Sequence, residues 1–160
     1  LKGLKIRVPE GKVFVDTFQT LGAGATVMSF GELYSALQLG VVDGQENPPA
    51  HILTQNFNEV QDYVSRTGHI HMGSPLIISA YLFDSMPEDI QQTLLEVGKK
   101  YNRKHIDLIA QLEEEQWKEI EGRGMKINDV DKSLFRKAVQ PVYDDAAGKF
   151  NQEIFELLTQ

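Results

Sequence analysis

From residue 1 to about residue 48 the alternation of apolar and polar positions switches between a period of two and a period of 3.6, the signature of βαβ units. Leu4, Ile6 and Val8 alternate with Lys5 and Arg7, and Pro9 ends that predicted strand. Phe14, Phe18 and Leu21 recur at helical spacing, Gly22 and Gly24 break the helix, and "ATVM" supplies a second extended run. Ser29 and Glu32 form an S-x-x-E pattern that predicts a capping box opening a helix from Phe30 to Leu39. Val41-Val42 is then the third strand. Right-handed crossovers make this a parallel βαβαβ layer, and the fold class is α/β.

Downstream, "PPAHILTQNF" reads as a short helix and "NEVQDYVSRTGHIHM" as a partly extended segment. The apolar run Pro75 to Ala80 predicts a buried strand. Ser85 and Glu88 repeat the capping pattern, with Pro87 in the first turn. A seam of Ile90, Leu94, Val97, Tyr101, His105, Leu108 and Leu112 follows and continues to about Gly122. Such a helix spans about 50 Å, more than a small domain needs. His105 on the seam is expected to be a core histidine with a local partner. A short "MKIND" strand and helices near 132–146 and 149–159 complete the pattern.

The 160 residues, 41% apolar and 24% charged, suffice for one hydrophobic core. Cysteine is absent, which removes disulfides, thiolate nucleophiles and cysteine zinc sites. A formal charge of −7 with scattered lysines and arginines argues against a nucleic-acid partner. No apolar run reads as a membrane span. The chain begins at Leu1, almost directly on a strand, so a piece of a longer protein is expected.

Arg7, Phe30 and Asn47 fall at the ends of the three predicted strands, where open parallel sheets bind ligands. A solvated side chain is the plain alternative for Arg7. A guanidinium fork matches a carboxylate through two charge-assisted bonds, a carboxamide can add a donor, and a ring supplies an apolar wall. Together they suit a small carboxylate. His69 and His71 share one strand face, but no third ligand accompanies them, so no metal is expected and His69 is left as an anion donor. "LGAGAT" lacks the order and third glycine of a dinucleotide fingerprint and reads as a plain turn. No nucleophile elbow occurs, and nothing calls for a cofactor or for turnover.

The text "LKGLKIRVP", "LGAGATVMSFGELYSALQLGVVDGQENP", "F-x-E-V-Q-x-Y", "TGHI" and "FDSMPEDIQ" resembles the substrate-binding proteins of tripartite ATP-independent periplasmic (TRAP) transporters, the dicarboxylate and sialic acid receptors. The resemblance spans the whole chain. It implies the C-terminal part of a bilobal, type II periplasmic-binding-protein fold that binds a small organic carboxylate, a C4-dicarboxylate or sugar acid, and delivers it to membrane subunits of a TRAP transporter. By motif match it implies that Arg7 pairs the ligand carboxylate, Asn47 helps to hold it and Phe30 lines the pocket, with His69 a weaker carry-over. Glu10, where some family members carry a neutral polar residue, would favour a hydroxylated ligand or point outward. Residues 1–80 would form the ligand-binding lobe, and 81–160 a lobe-spanning helix, short strand and C-terminal helices. Most of the first lobe would be missing, and the exposed apolar surface would favour dimerisation or segment exchange. An α/β enzyme domain and a helical oligomerisation module stand as alternatives.

Overall fold

The structure, a computed structural model, describes all residues except 71, 72, 74, 150, 154 and 156–160. Its described part divides into two compact units, Leu1–His69 with Ile120–Gln160, and Ile70–Glu119.

In the first unit, β1 (Lys5–Val8) lies between β2 (Gly24–Val27) and β3 (Gly44–Gln45), all parallel, in the order β2-β1-β3. Helix α1 (Lys12–Thr20) covers one face: Ile6 and Val8 of β1 form a buried cluster with Phe18 and Ala23, against which Phe14, Val15 and Ala25 pack. Alternation along the strand then directs Arg7 to the opposite face. Helix α1 ends in a Schellman cap, with Ala23 N–H donating to the Phe18 carbonyl and Gly22 N–H to that of Gln19, both at 2.9 Å. Gly22 holds φ +88°, which is why the "LGAG" turn carries glycine there.

After a 3-10 turn at Phe30–Glu32 and α2 (Leu33–Gln38), a second Schellman cap corrects the third strand. Both Val41 and Val42 N–H groups point to the Ala36 carbonyl, at 2.9 and 3.5 Å, so the helix end takes the donors that a sheet ladder would need. Pairing with β1 starts instead at Asp43, whose N–H donates to the Lys5 carbonyl at 2.8 Å while its carboxylate accepts from Lys5 N–H at 2.7 Å. The strand is therefore Gly44–Gln45, with Val42 buried and Val41 exposed.

The expected Ser29–Glu32 capping box does not form. Ser29 Oγ donates to the Glu32 carboxylate at 2.7 Å, and the first turn is 3-10, so the helix expected from Phe30 to Leu39 is split. Helix α3 (Pro49–Thr54) is where the pattern predicts it, and a 3-10 turn at Phe57–Glu59 follows. Strand β4 (Tyr63–Arg66) pairs in parallel with β5 (Lys126–Asp129), reinforced by Ser65 Oγ donating to Asn128 Oδ1 at 2.9 Å. The helix expected over 132–146 is two, α6 (Lys132–Ala138) and α7 (Gln140–Ala147). Pro141 has no N–H to donate and its ring obstructs a continuing helix, which places the break at Val139. Much of the helix expected over 149–159 lies outside the described residues.

In the second unit, α4 (Ala80–Asp84) precedes α5 (Glu88–Gly122), a helix of 35 residues that belongs to this unit up to Glu119. The Ser85 hydroxyl donates to the Leu82 carbonyl, and Pro87 provides the first carbonyl of α5, so Ser85 does not open that helix. The run Pro75 to Ala80 is not a strand: no neighbouring strand offers it a ladder among the described residues, and Leu76 and Ile77 are 81% and 84% exposed. The α5 seam from Ile90 to Leu112 is likewise exposed, including His105, which corrects the core histidine expected there. Among the described residues between 70 and 119 none is buried. No described helix is long and apolar enough to cross a membrane.

The first unit's stability should rest on its few fully buried side chains. Leu33→Ala, at a fully buried position, is expected to cost about 2–5 kcal/mol in urea unfolding, whereas Leu39→Ala, 77% exposed, should stay within about 0.5 kcal/mol of the parent.

Candidate functional site

Arg7 is the one charged side chain among the buried residues of the described chain, at 4% exposure. This settles the plain alternative against a solvated side chain. Strand β1 carries it into the interior on the face away from α1, and its Nε donates to the Met28 carbonyl, just past the end of β2, at 3.0 Å. The guanidinium carbon lies 5.9 Å from the centre of the Phe30 ring. No protein carboxylate forms an ion pair with Arg7 among the described residues, and the terminal nitrogens of the fork have no protein hydrogen bond there. Burial lowers the Arg7 pKa from the ordinary arginine value, and the negative charge of Glu46 opposes that shift. The group stays cationic at any physiological pH.

The neighbours of Arg7 come from three chain segments. Gln45 of β3 stands opposite Arg7 in the parallel ladder, so both side chains emerge on one face. The Asn47 amide donates to Gln45 Oε1 at 2.6 Å, and His51 Nδ1 lies 3.1 Å from Asn47 Oδ1. Proline at the start of α3 presets its first turn, which sets His51 one turn beyond Asn47. The His51 ring packs against Phe30 at 5.3 Å, and Phe30 meets the fully buried Phe57 edge-on at 6.1 Å. Arg7, Phe30, His51, Asn47 and Gln45 therefore form one connected cluster: a cation, an apolar wall and a chain of amides. Chemically it can hold an anion, with the fork as anchor and amide N–H groups beside it.

Gln45 and His51 were not singled out by the sequence reasoning. Strand register signals Gln45, and the i, i+4 spacing of Asn47 and His51 signals the histidine, but only once the turn before α3 is known.

His69 belongs elsewhere. Its ring meets Phe18 edge-on at 5.4 Å, Thr67 Oγ1 lies 2.6 Å from its Nδ1, and Glu46 is 3.5 Å from Nε2 without hydrogen-bond alignment. Phe18 packs with Ile6, and Glu46 beside the His69 ring is also the carboxylate whose charge acts on Arg7. His69 borders a cavity of about 270 Å³ lined by Leu4, Ile6, Phe18, Met125, Gln45 and Glu46; Arg7, Phe30 and Asn47 are not among its lining residues, but Gln45 belongs to the Arg7 cluster. His71, its partner in the two-imidazole pattern, lies outside the described residues. No metal-ligating cluster of three His, Asp or Glu side chains occurs among the described residues. Glu10 is exposed in the turn between β1 and α1 and makes no hydrogen bond or ion pair among the described residues.

Comparison with known proteins matches residues 1–149 to the family described as bacterial extracellular solute-binding protein, family 7. A solute-binding protein of Roseobacter denitrificans is 37% identical over 140 residues, 88% of this chain and 43% of its own length. The C4-dicarboxylate-binding periplasmic protein DctP of Rhodobacter capsulatus is 33% identical over 156 residues, 94% of this chain and 46% of its own. Among solved structures, a TRAP periplasmic solute binding protein from Polaromonas bound to D-erythronate superposes with a TM-score of 0.85 at 36% identity, over 98% of this chain and 52% of that one. The chain thus spans about half the length of the relatives it matches.

A buried cation without a carboxylate partner costs stability, so Arg7→Met is expected to leave the ligand-free protein as stable as the parent or more stable, by up to about 4 kcal/mol. Urea unfolding without ligand checks this. A loss of several kcal/mol would instead make the guanidinium a structural element.

Proposed function

The chain belongs to the bacterial extracellular solute-binding protein family 7, and we propose that it is the carboxylate-anchoring half of an extracytoplasmic receptor for a TRAP transporter. The observation that carries this reading is the Arg7 fork, buried beside Phe30 with no ion pair from the described protein residues. The family is one of binding proteins rather than enzymes. The receptor works in the periplasm and passes its ligand to the transporter's membrane subunits.

The ligand is a small organic carboxylate. Its carboxylate pairs with the two terminal nitrogens of Arg7, Phe30 covers one side, and Asn47 adds a donor from the turn after β3. Among the described residues Arg7 is the one arginine or lysine of this cluster, and its other polar groups are the amides of Gln45 and Asn47 and the His51 ring. On this half of the site that balance accommodates one carboxylate beside hydroxyls, as in D-erythronate; a dicarboxylate would need a second cation from the other half. Water leaves when the site is covered, and the lower local dielectric strengthens the ion pair.

The exposed apolar face of residues 70–119 supports a second part of the reading: a complementary half of the receptor, comparable to the unmatched half of the relatives, covers it. Alone, the 160-residue chain is expected to dimerise through this face. Light scattering should then give a mass above one chain, and a monomer at micromolar concentration would contradict this part of the reading.

Binding is tested on the receptor completed with that half. D-erythronate is expected to raise the melting temperature, and Arg7→Ala to weaken binding by about 2–5 kcal/mol in calorimetry because the ligand's charge loses its partner. Arg7→Lys should also bind more weakly, since an ammonium cannot form the planar fork. Near-parental affinity of Arg7→Ala would overturn the reading.

A further inference from the structure

The amide chain beside Arg7 has a direction, and His51 stands at its head. Asn47 uses one amide N–H on Gln45 Oε1, which assigns its nitrogen to the Gln45 side and its Oδ1 to His51. Oδ1 can only accept, so the His51 nitrogen 3.1 Å away must be the protonated one if the contact is attractive. Gln45 in turn has its oxygen engaged, leaving its own amide N–H groups as what it can offer across the ladder from Arg7.

We propose that His51 is a positioning residue: a proton on Nδ1 fixes the direction of both amides so that Asn47 and Gln45 present N–H donors, not carbonyl oxygens, to a carboxylate on Arg7. The inference rests on the receptor reading of this site. An asparagine or glutamine amide has nearly the same shape after a half turn, so shape alone does not select donor over acceptor. With the proton on Nε2 instead, the Nδ1 lone pair would call for the opposite Asn47 orientation, then the opposite Gln45 orientation, and two oxygens would confront the ligand's negative charge. Because each bond in such a chain polarises the next, the orientation is set for the pair rather than for one residue. Packing of the imidazole on Phe30, whose ring also lies beside Arg7, restrains the histidine that supplies the proton. His51 is itself exposed, so its replacement removes the orienting bond without opening the core.

Two measurements decide the matter. A long-range nitrogen–proton NMR spectrum of the ligand-free receptor at a pH where His51 is neutral is expected to show the Nδ1–H tautomer; an Nε2–H tautomer overturns the proposal without any ligand. In calorimetry with D-erythronate, His51→Ala should lower affinity about fivefold, the loss of one orienting hydrogen bond, with the ligand-free melting temperature unchanged. In an Asn47→Ala background the same substitution should have no further effect, because its route to the ligand is gone. An equal fivefold loss in that background would mean that His51 acts independently of Asn47, and the proposal fails. Arg7→Ala serves as the separate arm: if it retains affinity, the receptor reading falls, whereas loss in Arg7→Ala with none in His51→Ala removes the positioning role alone.

Discussion

An arginine at 4% exposure, with no carboxylate in ion-pair reach among the described residues, is the constraint around which the first unit is arranged. Moving a cation out of water is costly unless hydrogen bonds and a counter-charge replace hydration. The fold meets only part of that need, with the Met28 carbonyl on Nε, the face of Phe30 beside the ion and the more distant charge of Glu46. The remaining demand is directional: two parallel N–H groups that suit the two oxygens of one carboxylate. On the proposed reading an incoming carboxylate gains what the protein withholds, and Arg7 contributes to the filled site more than to the empty one.

The rest of the unit follows from placing that fork. Ile6 and Val8 anchor β1 to α1, which leaves the residue between them on the other face. The parallel register sets Gln45 opposite Arg7, and the turn into α3 brings Asn47 and His51 alongside. Phe30, from the turn after β2, touches both the histidine and the arginine neighbourhood. Apart from His51 on α3, each contributor comes from a strand or the turn that follows it, where a parallel sheet exposes its strand tips to ligands.

Much of this was legible in the sequence, because periodicity and helix breakers report local physics. The βαβ order and the helix ending at Gly22 follow from apolar spacing and a glycine that can hold positive φ. What failed depended on competition for backbone donors. Val41 and Val42 look like a strand, but the end of α2 claims their N–H groups, and the ladder begins two residues later than Val41, at Asp43. Pro75 to Ala80 has strand composition without a strand to pair with. Of the candidate cluster, Arg7, Phe30 and Asn47 were legible because a guanidinium, a ring and a carboxamide at predicted strand ends suit a carboxylate; Gln45 and His51 were not, since their part depends on register and on hydrogen-bond direction, neither of which apolar patterning encodes. His69 is a chemically suggestive residue that meets Phe18, Thr67 and Glu46, with no hydrogen bond, ion pair or ring contact to Arg7, Phe30 or Asn47.

A crystal structure of the completed receptor with D-erythronate decides whether Arg7 anchors the ligand. Both ligand carboxylate oxygens are expected on the terminal nitrogens of Arg7, at about 2.7–2.9 Å, with the Phe30 ring alongside. A ligand carboxylate held by other residues, with the Arg7 fork still unengaged or turned to a protein carboxylate, would contradict it.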